Sequence, residues 1–537
     1  MKKQLFSRSI KFFIMLLIAV GFFSCYKDKF NLNKLEKNGD WSPDVAVPLI
    51  YSNMTMKDLL NDYNHDNLYV NDTNNLLYLV YWNKIYSRTA EELLGIPNQS
   101  LNTNFQFSVT GSLPWGTDIT APLYTAYYSF NTHNNIIIDN VTLNSGTFDF
   151  IISIPGFTHN ATINISIPSA TIGGIPFSQD IAVIGSATTT EHLNLSGYNI
   201  VFDNTGGNQN RLAITYTVTV HGQGSANNSP YSVTMGESFN NLVFEEIHGD
   251  FKQLGFNFPD DSIKLRLFTY NIQGTIDFEN PKLHVYATNS FGMPVRINLN
   301  NLKTSSGINA PYQVLITGVP IPWDINAAPS VGDSATTVFH LYRTNSNIWD
   351  AISIAPQWIT TNITGLSNPS GVAASNFATA SSRFDINTQI ELPLDGKAWN
   401  FVLQDTIACE FGTDIDAAEY VDFRINTQNG FPVEAITQLF FVDANNHILD
   451  SLLTPEQQIV VSALCGGAPE YRVYETVHKL TDTRFEKARM TGIKDTKKII
   501  IRGKLATSQN GTQIVKIYSD YELEVRLAAR AKFNVAY

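Results

Sequence analysis

Leu212-Ala213-Ile214-Thr215-Tyr216-Thr217-Val218-Thr219-Val220 alternates apolar and polar side chains without a break. Successive side chains of a strand point to opposite faces, so this stretch reads as a β-strand with one face in a core and one in water. The same period of two recurs at Ile163, Ile165 and Ile167, at Ile263, Leu265 and Leu267, and at Tyr521, Leu523, Val525, Leu527 and Ala529. Gly173-Gly174, Gly206-Gly207, Asn429-Gly430 and Asn510-Gly511 punctuate these runs with residues that accept turn dihedrals. Many short alternating strands so separated predict an all-β chain of tandem antiparallel β-sandwich domains. Helices are expected to be few and short, over residues 55–60, 89–94 and 347–352. The second of these opens on a capping box, with Glu92 three residues after Thr89.

Composition agrees with exposed strands and turns. Of 537 residues, 43% are hydrophobic and 12% aromatic, enough for a large core and too many for a disordered chain. Only 16% are charged, so Asn, Thr and Ser carry the polarity, and these side chains compete with a helical backbone. The net charge is −12, which argues against nucleic-acid or anionic-membrane partners because both require a basic footprint.

The N-terminus has its own logic. Lys2, Lys3, Arg8 and Lys11 precede an apolar run from Phe12 to Phe23, the length of a signal-peptide core and too short to span a bilayer. Ser24-Cys25 follows, and this segment resembles the lipobox of bacterial lipoproteins. The resemblance implies export, cleavage before Cys25, diacylglycerol on its thiol and acylation of the new amine; two or more chains anchor a protein stably. Residues 1–24 are then the signal peptide and 25–44 a polar tether. In lipoproteins of the Bacteroidota, acidic residues after the cysteine direct the protein to the cell surface. Here only Asp28 fits, between Lys27 and Lys29, so both faces of the outer membrane stay open.

The remaining chain divides into a β-rich N-terminal region with short helices (45–125) and three sandwiches (126–250, 251–395 and 396–537). The Ser/Asn/Ala-rich stretch 365–382 is the best linker. Residues 283–295 match residues 421–433 at a constant offset of 138, each a strand, a polar turn and then Pro-Val. The match resembles the strand–turn–strand of late-embryogenesis-abundant type 14 (WHy) sandwiches. Convergent turn chemistry explains it as well as a duplication does.

Catalytic motifs are absent: no Gly-x-Ser-x-Gly elbow, no His-Glu-x-x-His helix and no phosphate-cradling glycine loop. No catalytic, cofactor-binding or metal-ligating residue is therefore assigned. His284 and His340 lie in strand patterns and read as sheet-face histidines. The carboxylate clusters Glu245-Glu246, Asp260-Asp261 and Asp414/Asp416 read as solvated turns. Asp443-Ala444-Asn445-Asn446-His447 starts like a calcium loop, but Ile448 and Thr454 stand where that loop needs Gly and Glu, so a hairpin turn is expected. Cys409 and Cys465 are a possible disulfide or two separate thiols. By the Bacteroidota resemblance, Asp-Ser/Thr followed by a small or aliphatic residue marks O-glycosylation, which names Ser262, Ser334, Thr406 and Ser451 and requires them to be exposed. Trp115, Trp323, Trp349, Trp358 and Trp399 sit near prolines or turns and are either core anchors or a sugar platform.

These observations favour a non-enzymatic cell-envelope lipoprotein with a binding, adhesion or structural role, held to the membrane by its N-terminal lipid. A glycan-binding lipoprotein of a polysaccharide-uptake system, an envelope lipid-binding protein and a hydrolase with paired carboxylates are the competing classes.

Overall fold

The computed structural model describes residues 44–55, 68–70, 74–109, 113–224, 229–265, 268, 271–307, 311–371, 375–408 and 418–533. The expected signal peptide, residues 25–43 of the expected tether with Cys25 among them, residues 56–60 of the first expected helix, Cys409 and the Asp414/Asp416 pair lie outside them, while Asp44 begins a strand. The described chain is antiparallel sheet throughout, with only short helices.

The alternating stretch at Leu212 is the strand Arg211–His221. Leu212, Ile214, Tyr216, Val218 and Val220 are buried, and the residues between them are half-buried. It pairs with Asn160–Ile172 on one side and with Tyr124–Ser129 and Asp118–Thr120 on the other. The two-residue turn Gly173-Gly174 links Asn160–Ile172 to Ile175–Ile184; both glycines have positive φ, as so tight a hairpin requires. Two long strands, Ile137–Ser153 and Tyr231–Asp250, carry the sheet onward to Gln99–Phe107. The sheet curls over a single core. Phe105 and Tyr216 come from strands separated by several others in the pairing order, yet their ring centroids are 5.7 Å apart.

The middle sandwich packs the sheet Leu68–Val70, Leu77–Thr89, Arg383–Pro393, Lys282–Asn289, Ala335–Leu341 against Gly255–Lys264, Trp358–Ser367, Val295–Ser305, Gln313–Leu315. The last sandwich sets Asp44–Thr55, Glu522–Phe533, Ala418–Asn429, Val477–Glu486 against Asn271–Phe278, Asp395–Ala408, Lys498–Thr507, Val433–Val442, Ile448–Ser451.

These two sandwiches share one topology. In each, a central strand (Lys282–Asn289 or Ala418–Asn429) turns into the facing sheet (Val295–Ser305 or Val433–Val442). The chain then returns to the first sheet (Ala335–Leu341 or Val477–Glu486) and passes a short helix (Ile348–Ser353 or Lys487–Gly492). It crosses again (Trp358–Ser367 or Lys498–Thr507) and closes beside the starting strand (Arg383–Pro393 or Glu522–Phe533). The turns are built alike. Asn289 Oδ1 accepts the Phe291 N–H at 3.0 Å, and Asn429 Oδ1 accepts the Phe431 N–H at 2.9 Å. Both asparagines are buried and donate through Nδ2 to backbone carbonyls, Met293 and Asn326 in one, Phe431, Val433 and Val461 in the other. The matched sequences are a structural duplication. Gly292-Met293 is an insertion within the first turn, so the asparagines stand 140 residues apart and the following valines 138.

Residues 45–125 distribute their strands among three sheets. Asp44–Thr55 pairs with Glu522–Phe533, Leu77–Thr89 with Arg383–Pro393, and Gln99–Phe107 with Tyr231–Asp250. Each covers a strand edge that would otherwise present unpaired backbone groups. Within 365–382, Asn376–Thr379 pairs with Glu246–Gly249 and so ties the middle sandwich to the first. The helix at 89–94 is present as Ala90–Leu94 with both halves of its capping box, and the helix at 347–352 as Ile348–Ser353.

Candidate functional site

The outer face of the middle sandwich carries an unusual row. Trp82 stands directly opposite Gln389, Gln389 opposite His284, and His284 opposite His340, across four adjacent strands. Directly opposed residues share a face, so these four side chains form one rung. Trp82 and His340 are exposed at its ends. The Trp82 ring stacks on Tyr286 at 5.7 Å, and His340 stacks on Tyr342 at 5.8 Å. A polar chain links the rings. Tyr286 Oη donates to Gln389 Oε1 at 2.7 Å, and Gln389 Nε2 donates to Glu391 Oε1 at 3.0 Å. Glu391 also holds Lys282 Nζ at 3.2 Å and faces His284 Nε2 at 3.6 Å. His284 and His340 meet Nδ1 to Nδ1 at 2.5 Å. Burial of His284 holds its imidazole below the usual histidine range, against the pull of Glu391.

The duplicated sheet shows what this position holds elsewhere. His284 lies five residues before Asn289, and Arg424 five before Asn429. The rung in the copy is Pro48, Ala528, Arg424 and Asp482. Arg424 grips Asp482 with two bonds of 2.8 and 2.9 Å, and Arg484 grips Asp422 beside it. That face satisfies itself with paired charges. The middle sandwich instead presents aromatic rings, imidazoles, an amide and a carboxylate.

A second polar cluster is buried in the first sandwich. Glu237 accepts hydrogen bonds from Tyr216 Oη at 2.6 Å, Thr103 Oγ1 at 2.7 Å and Tyr128 Oη at 2.9 Å. Burial raises its carboxyl above the usual range, although the three hydroxyls pull the other way. It braces two opposed parts of the curled sheet and has no path to solvent through its own side chain, which is 2% exposed. A cavity of about 310 Å³ at the end of the last sandwich is lined by polar groups, among them Asn53, Arg472, Asp520 and Glu522. Arg472 is paired with Asp520 there, and Glu522 accepts a hydrogen bond from Asn53 Nδ2.

The residues singled out from sequence are scattered. Trp323 is buried, while Trp115, Trp358 and Trp399 are exposed in three different sheets or loops. Arg343 lies 4.7 Å from the Trp349 ring, and Lys264 Nζ 5.5 Å from the Trp358 ring. Ser262, Ser334 and Thr406 are exposed; Ser451 is half-buried, next to an Asp450 held by Arg489 at 2.8 Å. Cys465 is a free, half-buried thiol 3.7 Å from Ser508 Oγ. Asp443–His447 is a hairpin turn whose Asp443 carboxylate accepts the Asn445 and His447 amides. Glu246 bonds His248, and its neighbour Glu245 is exposed at a β-bulge where the pairing register shifts. The side chains of Asp260 and Asp261 lie outside the described residues. Trp82, Tyr286, Gln389 and Glu391 were not legible as a site. Only the pairing of strands 300 residues apart assembles them.

No family model matches the chain, and no curated protein does. Solved structures resemble it slightly. A "putative secreted protein" of Parabacteroides distasonis is 12% identical, covering 54% of this chain and 89% of that one, at a TM-score of 0.27. The structure of the infectious bursal disease virus Gx strain is 8% identical, covering 82% and 80%, at 0.14. Among the described residues no helix is long and apolar enough to cross a membrane.

Proposed function

We propose that this chain is a non-enzymatic lipoprotein of a bacterial cell envelope, of the Bacteroidota type, that binds a glycan on the outer face of its middle sandwich. One observation carries the binding reading: the rung Trp82–Gln389–His284–His340, exposed at its two ends and flanked by Tyr286 and Tyr342. A flat ring offers its face to the C–H groups of a sugar, and neighbouring amide, carboxylate and ammonium groups offer partners to its hydroxyls. The paired charges at the same place in the duplicated sheet offer neither. The acidic chain argues against a nucleic-acid partner, and the lipobox supports an anchor at Cys25.

Glycan-array binding with the full-length protein in detergent tests the reading. Trp82→Ala should weaken binding roughly tenfold, the loss of about 1.4 kcal/mol expected for an aromatic contact. Absence of binding to any glycan, or binding indifferent to Trp82, removes it. The anchor is tested separately: labelled palmitate should enter the wild type and not Cys25→Ala. If Cys25→Ala fractionates with membranes as before, lipid is not what holds the protein.

A further inference from the structure

We propose that His284 and His340 form a binding site for a first-row transition-metal ion, backed by the Glu391 carboxylate. The two Nδ1 atoms point at each other across adjacent strands, 2.5 Å apart. Without a metal, that contact needs one ring as donor and the other as acceptor. An ion at ~2.0–2.1 Å from both, with a tetrahedral angle between them, needs about 3.3 Å. The rings must part by less than about 1 Å. His340 can supply that movement, because it is exposed and its strand, Ala335–Leu341, is the edge of the sheet.

The surroundings fit a metal better than a bare hydrogen bond. With Nδ1 on the ion, His284 carries its proton on Nε2, which faces Glu391 Oε1 at 3.6 Å. Carboxylate, imidazole and metal in that order is the arrangement that fixes a ligating ring's tautomer and raises its basicity. Glu391 is itself oriented by Lys282 and Gln389. Two imidazoles select zinc, copper or nickel over calcium or magnesium, which prefer oxygen ligands. Among the described residues no group of three or more His, Cys, Asp and Glu is placed to hold a metal. The site therefore has two protein ligands, and its remaining positions face solvent, where water or a bound partner completes them. The same place in the duplicated sheet holds the Arg424–Asp482 ion pair, so this sheet geometry already brings two opposed polar side chains into direct contact.

The proposal stands apart from glycan binding and is tested without it. Tag-free full-length protein in detergent is titrated with zinc, nickel and copper chlorides by calorimetry. One equivalent should bind, copper tightest. His340→Ala, a surface change that leaves the core untouched, should weaken binding at least tenfold, and His284→Ala likewise. Glu391→Gln should keep the stoichiometry and lose on the order of tenfold in affinity. Arg424→His combined with Asp482→His should add a second equivalent. Trp82→Ala should leave the metal isotherm unchanged. Failure of the wild type to bind any of the three ions, or binding that survives His340→Ala undiminished, overturns the site.

Discussion

At the scale of single residues, the first sandwich buries two ionisable side chains, Glu237 and His159. Glu237 sits in the core with a carboxyl whose folded pKa is raised by burial. A group whose pKa is raised on folding favours the folded state below its unfolded pKa, and that contribution is lost as pH rises through the folded value. The protein should therefore lose stability as pH rises above the ordinary carboxylate range, and Glu237→Gln should flatten that part of the profile. Urea midpoints measured across pH for both proteins check this; parallel profiles would show that Glu237 stays ionised. His159 is fully buried, and neither ring nitrogen has a hydrogen-bond partner. An unsatisfied buried polar group costs roughly 1–3 kcal/mol. His159→Leu should stabilise the protein by about 1 kcal/mol, read as a higher urea midpoint. A fall instead would mean that an ordered water serves the imidazole. The parity of Glu237 was readable, since Tyr231, Val233, Met235 and Phe239 flank it at steps of two. Its three hydroxyl partners were not, because they come from strands 21 to 134 residues away.

At the scale of elements, the two asparagine turns hold the corners at which the chain passes from one sheet to the other. Asn429 makes four hydrogen bonds in a fully buried site. Asn429→Ala should cost about 2–4 kcal/mol by stranding those backbone groups, and Asn289→Ala should cost a similar amount. Denaturant unfolding of both variants measures it, and a cost below about 0.5 kcal/mol at either would break the equivalence of the two corners. The repeat was visible as a dozen matched residues. Its meaning was not, because an ungapped match aligns Asn289 with Thr427 and hides the equivalence with Asn429.

At the scale of the whole molecule, one strand joins two cores. Leu77 packs in the core of the last sandwich, while Leu79 and Tyr81 of the same strand pack in the core shared by the first two. A ring of backbone bonds closes the junction: Leu77 to Ile517 at 3.1 Å, Leu394 to Leu77 at 2.8 Å, and Ile517 to Leu394 at 2.9 Å. Leu394 touches both cores. Leu77→Ala should cost about 2–5 kcal/mol. Hydrogen exchange should then accelerate in Lys498–Thr507 and not in Arg211–His221; equal acceleration in both would make the sandwiches a single cooperative unit.

What the sequence determined by itself was local. Period-two alternation and glycine or asparagine turns specify strands and faces residue by residue, so the all-β class and the inward set at Leu212 follow from composition and spacing alone. The resemblance to a lipobox around Cys25 is likewise read from a contiguous stretch. Tertiary structure decided which strands are neighbours. An antiparallel sheet places no bound on the sequence distance between partners, so the strands that begin at Asp44 and Leu77 pair with segments hundreds of residues away. The rung of Trp82, Gln389, His284 and His340 exists only through that pairing.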